Sequence, residues 1–140
     1  MDQTAIFRPF VATMLLTLAV WVYMFAQRLP FLFRNKLTSR PLTPIEFAQL
    51  SPPAVATPAD NLRNLFELPV VFYAAVLCLY ALQKVDTVYL CAAWVFFAFR
   101  ALHSLVHCTF NHVPLRFFLY LISSLALATI VVRLASGLWS

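Results

Sequence analysis

Polar and charged side chains recur at helical spacing inside otherwise apolar stretches of the sequence. The three series are Asp60, Asn64 and Glu67; Arg100, His103, His107 and Asn111; and Arg116, Tyr120 and Ser123. Steps of three or four residues place the side chains of each series on one face of an α-helix. Arginine, glutamate, histidine and tyrosine on such a face can bind a charged ligand or transfer protons. These residues are therefore the first candidates for a functional site.

Several kinds of chemistry use such residues. His103 and His107 have the i, i+4 spacing of two metal ligands, and Glu67 is the available third ligand. The nearby arginines disfavour a cation, so no metal is expected, and two histidines on one helix do not suit haem. A proton path through Glu67 and the histidines, as in transporters, is an alternative. Nucleophilic catalysis is not expected, because Ser104 is adjacent to His103 and cannot face it on a helix.

The balance of charge favours an anionic ligand. Arg63, Arg100 and Arg116 meet only Glu67 and Asp60 as acidic residues in this part of the sequence. A surplus cation in a low-dielectric site is costly, and a ligand with carboxylates would relieve that cost. The structural alternative is that Arg63 pairs with Glu67 at i, i+4, and that the other two arginines reach the lipid head groups.

Composition places these stripes in a membrane protein. The chain is 63% apolar and 11% charged, whereas a soluble domain is about 25% charged. Its single glycine excludes phosphate-cradling loops, which need several. The net charge is +5, but there is no dense basic run and no zinc or stacking motif, so nucleic acid is not expected as a partner. The three cysteines, Cys78, Cys91 and Cys108, lie in apolar stretches and do not predict a disulfide framework.

Four antiparallel spans account for the apolar stretches. A membrane helix needs about 20 residues, so three of the stretches must continue through charged residues to cross. We predict an all-α, four-helix transmembrane bundle forming one domain over residues 1–140 and contacting membrane lipid. The predicted spans are 7–28, 60–83, 87–109 and 114–136. The segment 29–58, with six of the nine prolines, is predicted as a cytoplasmic loop, ordered or loose, with an interfacial stretch at 31–33.

The cations predict an orientation. The side of the bundle with the proline-rich loop carries Arg28, Arg34, Lys36, Arg40 and Arg116. The opposite side carries Arg8, Lys84 and Arg133, partly offset by Asp2 and Asp86. By the positive-inside rule, both termini face away from the cytoplasm and the polar stripes lie toward the cytoplasmic leaflet.

The motifs resemble those of a known membrane family. Arg63-Asn64-Leu65-Phe66-Glu67-Leu68-Pro69 resembles the R-N-x-x-E motif in the second helix of the MAPEG family, the membrane-associated proteins in eicosanoid and glutathione metabolism. Arg100-Ala-Leu-His103-Ser-Leu-Val-His107, followed by Arg116 and Tyr120, is similar to the third- and fourth-helix pattern of that family. The spacing is closest to the microsomal prostaglandin E synthase-like members. The motifs cover roughly residues 60–125.

The resemblance implies a homotrimer that binds glutathione as co-substrate in a cleft between subunits. It implies a glutathione-dependent transferase or peroxidase acting on a lipophilic electrophile, with Arg116 stabilising the thiolate. By resemblance, the glutathione contacts are Arg28, Arg63, Asn64, Glu67, Arg100, His103, His107 and Tyr120.

Three positions depart from the family pattern. His107 replaces a usual tyrosine, Asp60 replaces an arginine of the synthase-like members, and Phe117 replaces a serine that some members place near the thiol. The alternative function is therefore a non-enzymatic membrane scaffold or partner subunit with a degenerate glutathione site. A proton-linked carrier is a third hypothesis.

Overall fold

The regular elements of the chain are helices throughout the part that the structure describes. The computed structural model describes residues 2–39 and 41–139. Its α-helices are α1 (Phe7–Arg34), α2 (Pro44–Leu50), α3 (Pro53–Leu65), α4 (Leu68–Ala81), α5 (Thr87–Cys108) and α6 (Val113–Trp139), with short 3-10 turns at Gln3–Ile6 and Leu37–Ser39. Four segments are long and apolar enough to cross a membrane: Gln3–Arg34, Pro53–Ala81, Thr87–Cys108 and Val113–Trp139. The predicted all-α, four-span fold is confirmed.

The first helix is longer than predicted. It continues past Arg28 and through Pro30 to Arg34, although a proline inside a helix removes a backbone hydrogen bond. The last turn is held because the Asn35 backbone N–H donates to the Phe31 carbonyl at 3.2 Å. The Phe31 ring also packs edge-on against Phe47, with ring centroids 6.1 Å apart. The aromatic stretch predicted as part of the loop therefore belongs to the end of α1.

The proline-rich segment is largely helical in the residues that the structure describes. Its short helix α2 begins with a capping box, in which Thr43 Oγ1 accepts from the Glu46 backbone N–H at 3.2 Å and the Glu46 carboxylate accepts from the Thr43 N–H at 2.8 Å. The Arg28 guanidinium lies 4.3 Å from the centre of the Phe47 ring, a cation–π contact that holds α2 on α1. Arg40, one of the cations used to predict orientation, lies outside the described residues.

The second span consists of two helices separated by a break. α3 begins seven residues earlier than predicted, at Pro53, where a proline suits the first helical turn. It ends at Leu65, and Glu67 has φ −95° and ψ −100°, outside the helical region. Pro69 explains the break, since proline lacks the N–H that a continuing helix needs and therefore sits in the first turn of α4. The predicted stripe through Asn64 and Glu67 is consequently interrupted.

The apolar core lies at the end of the bundle away from the polar stripes. Phe72 of α4 and Phe96 of α5 stack with ring centroids 4.5 Å apart, and Ile130 of α6 is buried in the same cluster. At this end the Arg133 guanidinium bonds both carboxylate oxygens of Asp86, at 2.8 and 2.7 Å. This hydrogen bond, with the bond that Asp86 accepts from the Tyr89 backbone, holds the pKa of the Asp86 carboxyl below its ordinary value.

Candidate functional site

Five of the predicted site residues line one cavity at the other end of the bundle. The cavity has a volume of about 300 Å³ and is lined by Asn64, Glu67, His103, Val113, Arg116, Phe117 and Tyr120. α3, the α3–α4 break, α5 and α6 each contribute to it. The break matters here, because Glu67 lies at the junction between α3 and α4 and lines the cavity from that junction. A carboxylate, an amide, an imidazole, a guanidinium and a phenol thus share one site.

Arg116 is held at two points. Its Nη1 donates to the Asn111 side-chain oxygen at 2.7 Å, and its backbone carbonyl accepts from His103 Nδ1 at 2.9 Å. Both contacts come from α5 or from the turn that follows α5. The guanidinium is therefore tied to the turn after α5, and Arg116 lines the cavity together with Tyr120, as the predicted stripe requires.

The bond to the Arg116 carbonyl fixes the tautomer of the neutral His103 ring. A carbonyl oxygen only accepts, so the proton of the neutral ring lies on Nδ1 and Nε2 carries a lone pair. Nε2 is buried and has no hydrogen-bond partner among the described residues. The His103 ring lies edge-on to Tyr120 and His107, with ring centroids 5.7 and 5.5 Å away.

Arg100 lies behind this cavity and does not line it. The residue is 0% exposed, and its three guanidinium nitrogens find no hydrogen-bond partner in residues 2–39 and 41–139. Instead, the guanidinium carbon lies 4.4 Å from the ring centre of Tyr120 and 5.7 Å from that of Phe96. Glu67 attracts this guanidinium from a distance, but a buried guanidinium without a hydrogen-bonded partner is costly, and two aromatic faces offset only part of that cost.

Arg28 and Arg63 lie apart from the other predicted site residues. They line a separate cavity of about 430 Å³ whose other walls are Met24, Ala59, Leu62 and Phe66. Arg63, with its side chain 80% exposed, forms an ion pair with Asp60 at 3.5 Å. The alternative pairing of Arg63 with Glu67 is therefore wrong, because the helix ends before Glu67. Within one chain the predicted contacts form two groups rather than one.

Comparison with known proteins identifies the family. The sequence model of the MAPEG family matches residues 6–136 of the 140-residue chain. The chain is a MAPEG protein. Membership supports a glutathione-related transferase, peroxidase or related role, and the four spans make this MAPEG chain a multi-pass integral membrane protein. Searches of curated proteins and of solved structures each returned no match, so the likeness to the prostaglandin E synthase-like branch stays a prediction.

The structure places each of the three departures from the MAPEG pattern. Asp60 forms the ion pair with Arg63 that is described above. His107 is buried at 3% exposure behind His103, and its Nδ1 has no hydrogen-bond partner among the described residues. Phe117 is 65% exposed at the rim of the cavity. No three His, Cys, Asp or Glu side chains in the described ranges come together as metal ligands.

Sequence reasoning gave no role to a second group of buried polar residues. Asn61 is 0% exposed. Its side-chain oxygen accepts from Ser104 Oγ at 3.3 Å, and its amide donates to Cys108 Sγ at 3.4 Å. These bonds join α3 to α5. The only available signal was that Ser104 and Cys108 share an i, i+4 face, since nothing in the sequence pairs that face with Asn61.

Proposed function

We propose that this MAPEG chain is a glutathione-dependent transferase or peroxidase that acts on a lipophilic electrophile. The observation that supports this most directly is the shared cavity of Glu67, Asn64, Arg116 and Tyr120. Glutathione carries an ammonium group, two carboxylates and a thiol. The Glu67 carboxylate suits the ammonium, and the Arg116 guanidinium suits the sulfur as it becomes negative.

A cleft between subunits would bring the two groups of predicted contacts together. Arg28 and Arg63 line one surface cavity, and Glu67 and Arg116 line another. In a closed ring of three identical chains, each interface joins two different surfaces of the protomer. The arginine pair of one protomer can then face the Glu67 cavity of its neighbour and bind the glutathione carboxylates. This arrangement is the homotrimer that we propose for the chain.

Arg116 would act by electrostatics. A guanidinium is charged at any relevant pH, whereas a thiol with an ordinary pKa near 8.5 is mostly protonated at pH 7. The fixed positive charge lowers the pKa of the bound thiol and raises the fraction of thiolate. The thiolate then attacks the electrophile, and its proton has already passed to solvent.

The lipophilic substrate would reach this thiolate from the bilayer. Phe117 and Phe118, next to Arg116 in sequence, are 65% and 57% exposed. Phe117 also lines the cavity. An apolar rim at a polar cavity of a membrane-spanning helix favours a substrate that partitions into lipid.

One observation favours the non-enzymatic alternative. Asp60 already pairs with Arg63 and so competes with a ligand carboxylate for that guanidinium. A membrane scaffold or partner subunit that keeps the fold with a weakened glutathione site would show the same pair.

Calorimetry with reduced glutathione separates the two functions. We expect the purified trimer to bind glutathione and to turn over a generic electrophile. Glu67→Gln should weaken binding by about 1.5–3 kcal/mol, the size of one charge-assisted contact. Glu46→Gln, the matched change in the α2 capping box, should leave binding unchanged. Undetectable binding by the wild type would favour the scaffold, and unchanged binding by Glu67→Gln together with loss of the trimer would make Glu67 a structural residue.

The proposed orientation has its own test. Both termini are expected on the non-cytoplasmic side, with the cavity toward the cytoplasmic leaflet, because the cations cluster at that end. Cysteines introduced as Asp2→Cys and Thr38→Cys in a background without Cys78, Cys91 and Cys108 should label from opposite sides of a sealed vesicle. Labelling of both from one side would contradict the orientation.

A further inference from the structure

We propose that Asn111 is a positioning residue that aims the Arg116 guanidinium into the cavity. This inference rests on the proposed role of Arg116 as the group that stabilises the thiolate. The Asn111 side-chain oxygen accepts from Arg116 Nη1 at 2.7 Å. An arginine side chain is long and flexible, so a fixed acceptor selects one direction for its planar group.

The backbone of Asn111 explains why the acceptor is so well placed. Asn111 has φ 46°, the left-handed conformation that asparagine tolerates better than most residues. Its N–H donates to the Val106 carbonyl at 2.8 Å and closes the end of α5. The same residue therefore ends one helix and holds a side chain in the first turn of the next.

His103 supplies a second point of attachment. Its Nδ1 donates to the Arg116 carbonyl at 2.9 Å, so the backbone of Arg116 is fixed from α5 while Asn111 fixes the guanidinium. The two bonds act on opposite ends of one residue. Loss of the Asn111 amide should therefore free the guanidinium without moving the helix that carries it.

The neutrality of the amide matters for the chemistry. Asn111 directs the guanidinium and leaves its full positive charge for the sulfur. Aspartate at this position would accept the same hydrogen bond but would cancel much of that charge. The other ionisable groups near Arg116 are the same in both cases: Glu67 from the α3–α4 break, Arg100, His103 and His107 from α5, His112 from the turn and Tyr120 from α6.

Two variants separate direction from charge. Asn111→Gly keeps the left-handed backbone at no steric cost and removes the acceptor. Asn111→Asp keeps the acceptor and adds a negative charge. Gln83, at φ 53° in the turn after α4, provides the matched controls Gln83→Gly and Gln83→Glu at the opposite end of the bundle.

Turnover gives the first readout. We expect Asn111→Gly to lower kcat about tenfold and to change the KM for glutathione less than about twofold, since orientation acts on the reacting sulfur. Asn111→Asp should move the rise of rate with pH upward by about one unit, because a nearby negative charge disfavours the thiolate. The Gln83 variants should match the wild type. A normal kcat in Asn111→Gly, or an unshifted profile in Asn111→Asp, would overturn the proposal.

A second readout does not depend on glutathione chemistry. In nuclear magnetic resonance spectra, the Arg116 guanidinium signal, assigned by its loss in Arg116→Lys, should show slow rotation in the wild type and in Asn111→Asp. It should rotate freely in Asn111→Gly, and it should be unaffected by Gln83→Gly. Slow rotation in Asn111→Gly would refute the positioning role. If the signals behave as expected but the wild type shows no turnover, the proposed function fails and the positioning role of Asn111 stands.

Discussion

The two halves of α5 each bury one face, but the buried side chains are of different kinds. In the first half, Ala93 and Phe96 lie in the apolar core, where Phe96 stacks on Phe72. In the second half, Arg100 and His103 are buried to the same extent, yet the three guanidinium nitrogens of Arg100 and Nε2 of His103 lack hydrogen-bond partners in the described part of the chain. The first half gains stability from burial and dispersion, whereas the second half leaves donors and an acceptor unpaired at a cost.

The difference separates folding from function along a single helix. Residues that stabilise the bundle, such as Phe96, are packed fully against other apolar side chains. Buried polar groups that lack hydrogen-bond partners within the chain indicate a site that a ligand or partner completes. The predictions below test that division.

The largest expected effect concerns stability. Phe96→Ala should lower the free energy of unfolding by about 3 kcal/mol or more, because it opens a cavity in the stacked core. Arg100→Met, of similar length but apolar, should be neutral or stabilising, as replacement of buried charge by hydrophobic groups often is. Unfolding in detergent, followed by helical circular dichroism, measures both. If Arg100→Met destabilises the bundle as much as Phe96→Ala does, Arg100 belongs to the folding half.

The next effect concerns turnover at the polar end. Arg116→Ala should reduce turnover on a generic electrophile by about 100-fold, the scale of losing one anion-stabilising donor. Binding of glutathione should fall much less, because other arginines hold the carboxylates. Arg8→Ala, a matched loss of an exposed cation at the apolar end, should change neither quantity. Undiminished turnover in Arg116→Ala would remove Arg116 from the mechanism.

The smallest effect depends on pH. Because the pKa of the Asp86 carboxyl is lowered by its bond to Arg133, the pair stabilises the fold fully above the unfolded pKa of about 3.9. This contribution is lost as the pH falls from there through the lowered pKa of the folded state. Asp86→Asn, which keeps the helix cap, should lower the free energy of unfolding slightly at pH 7, as expected for an exposed pair, and its difference from the wild type should shrink as the pH falls through the lowered pKa of Asp86. Asp60→Asn, in the looser 3.5 Å pair with Arg63, should cost less at pH 7. A larger loss for Asp60→Asn would reverse the assignment of stability to the apolar end.

The sequence alone predicts the four spans and the side of the bundle on which Arg116, Tyr120 and His103 meet. Those features depend on local periodicity and on the charges that limit the apolar stretches. The extension of α1 to Arg34 was not predicted, because the charge of Arg28 ends the apolar stretch, whereas the contact between Phe31 and Phe47 holds the final turn.

Other features of the site depend on contacts that a linear pattern does not contain. The separation of Arg28 from Glu67 follows from how α1 packs on α3. The bond between Asn111 and Arg116 follows from a left-handed turn that many residue types could have avoided. The break before Glu67 had a local signal in Pro69, but the regular spacing of Asn64 and Glu67 concealed it.

That break also brings two helix ends to one place. The last carbonyls of α3 and the first N–H groups of α4 each leave roughly half an elementary charge, negative for α3 and positive for α4. Glu67 directly precedes α4, where a negative side chain is favourable for the helix itself. Glu67, which lines the cavity, therefore lies between backbone ends of opposite partial charge.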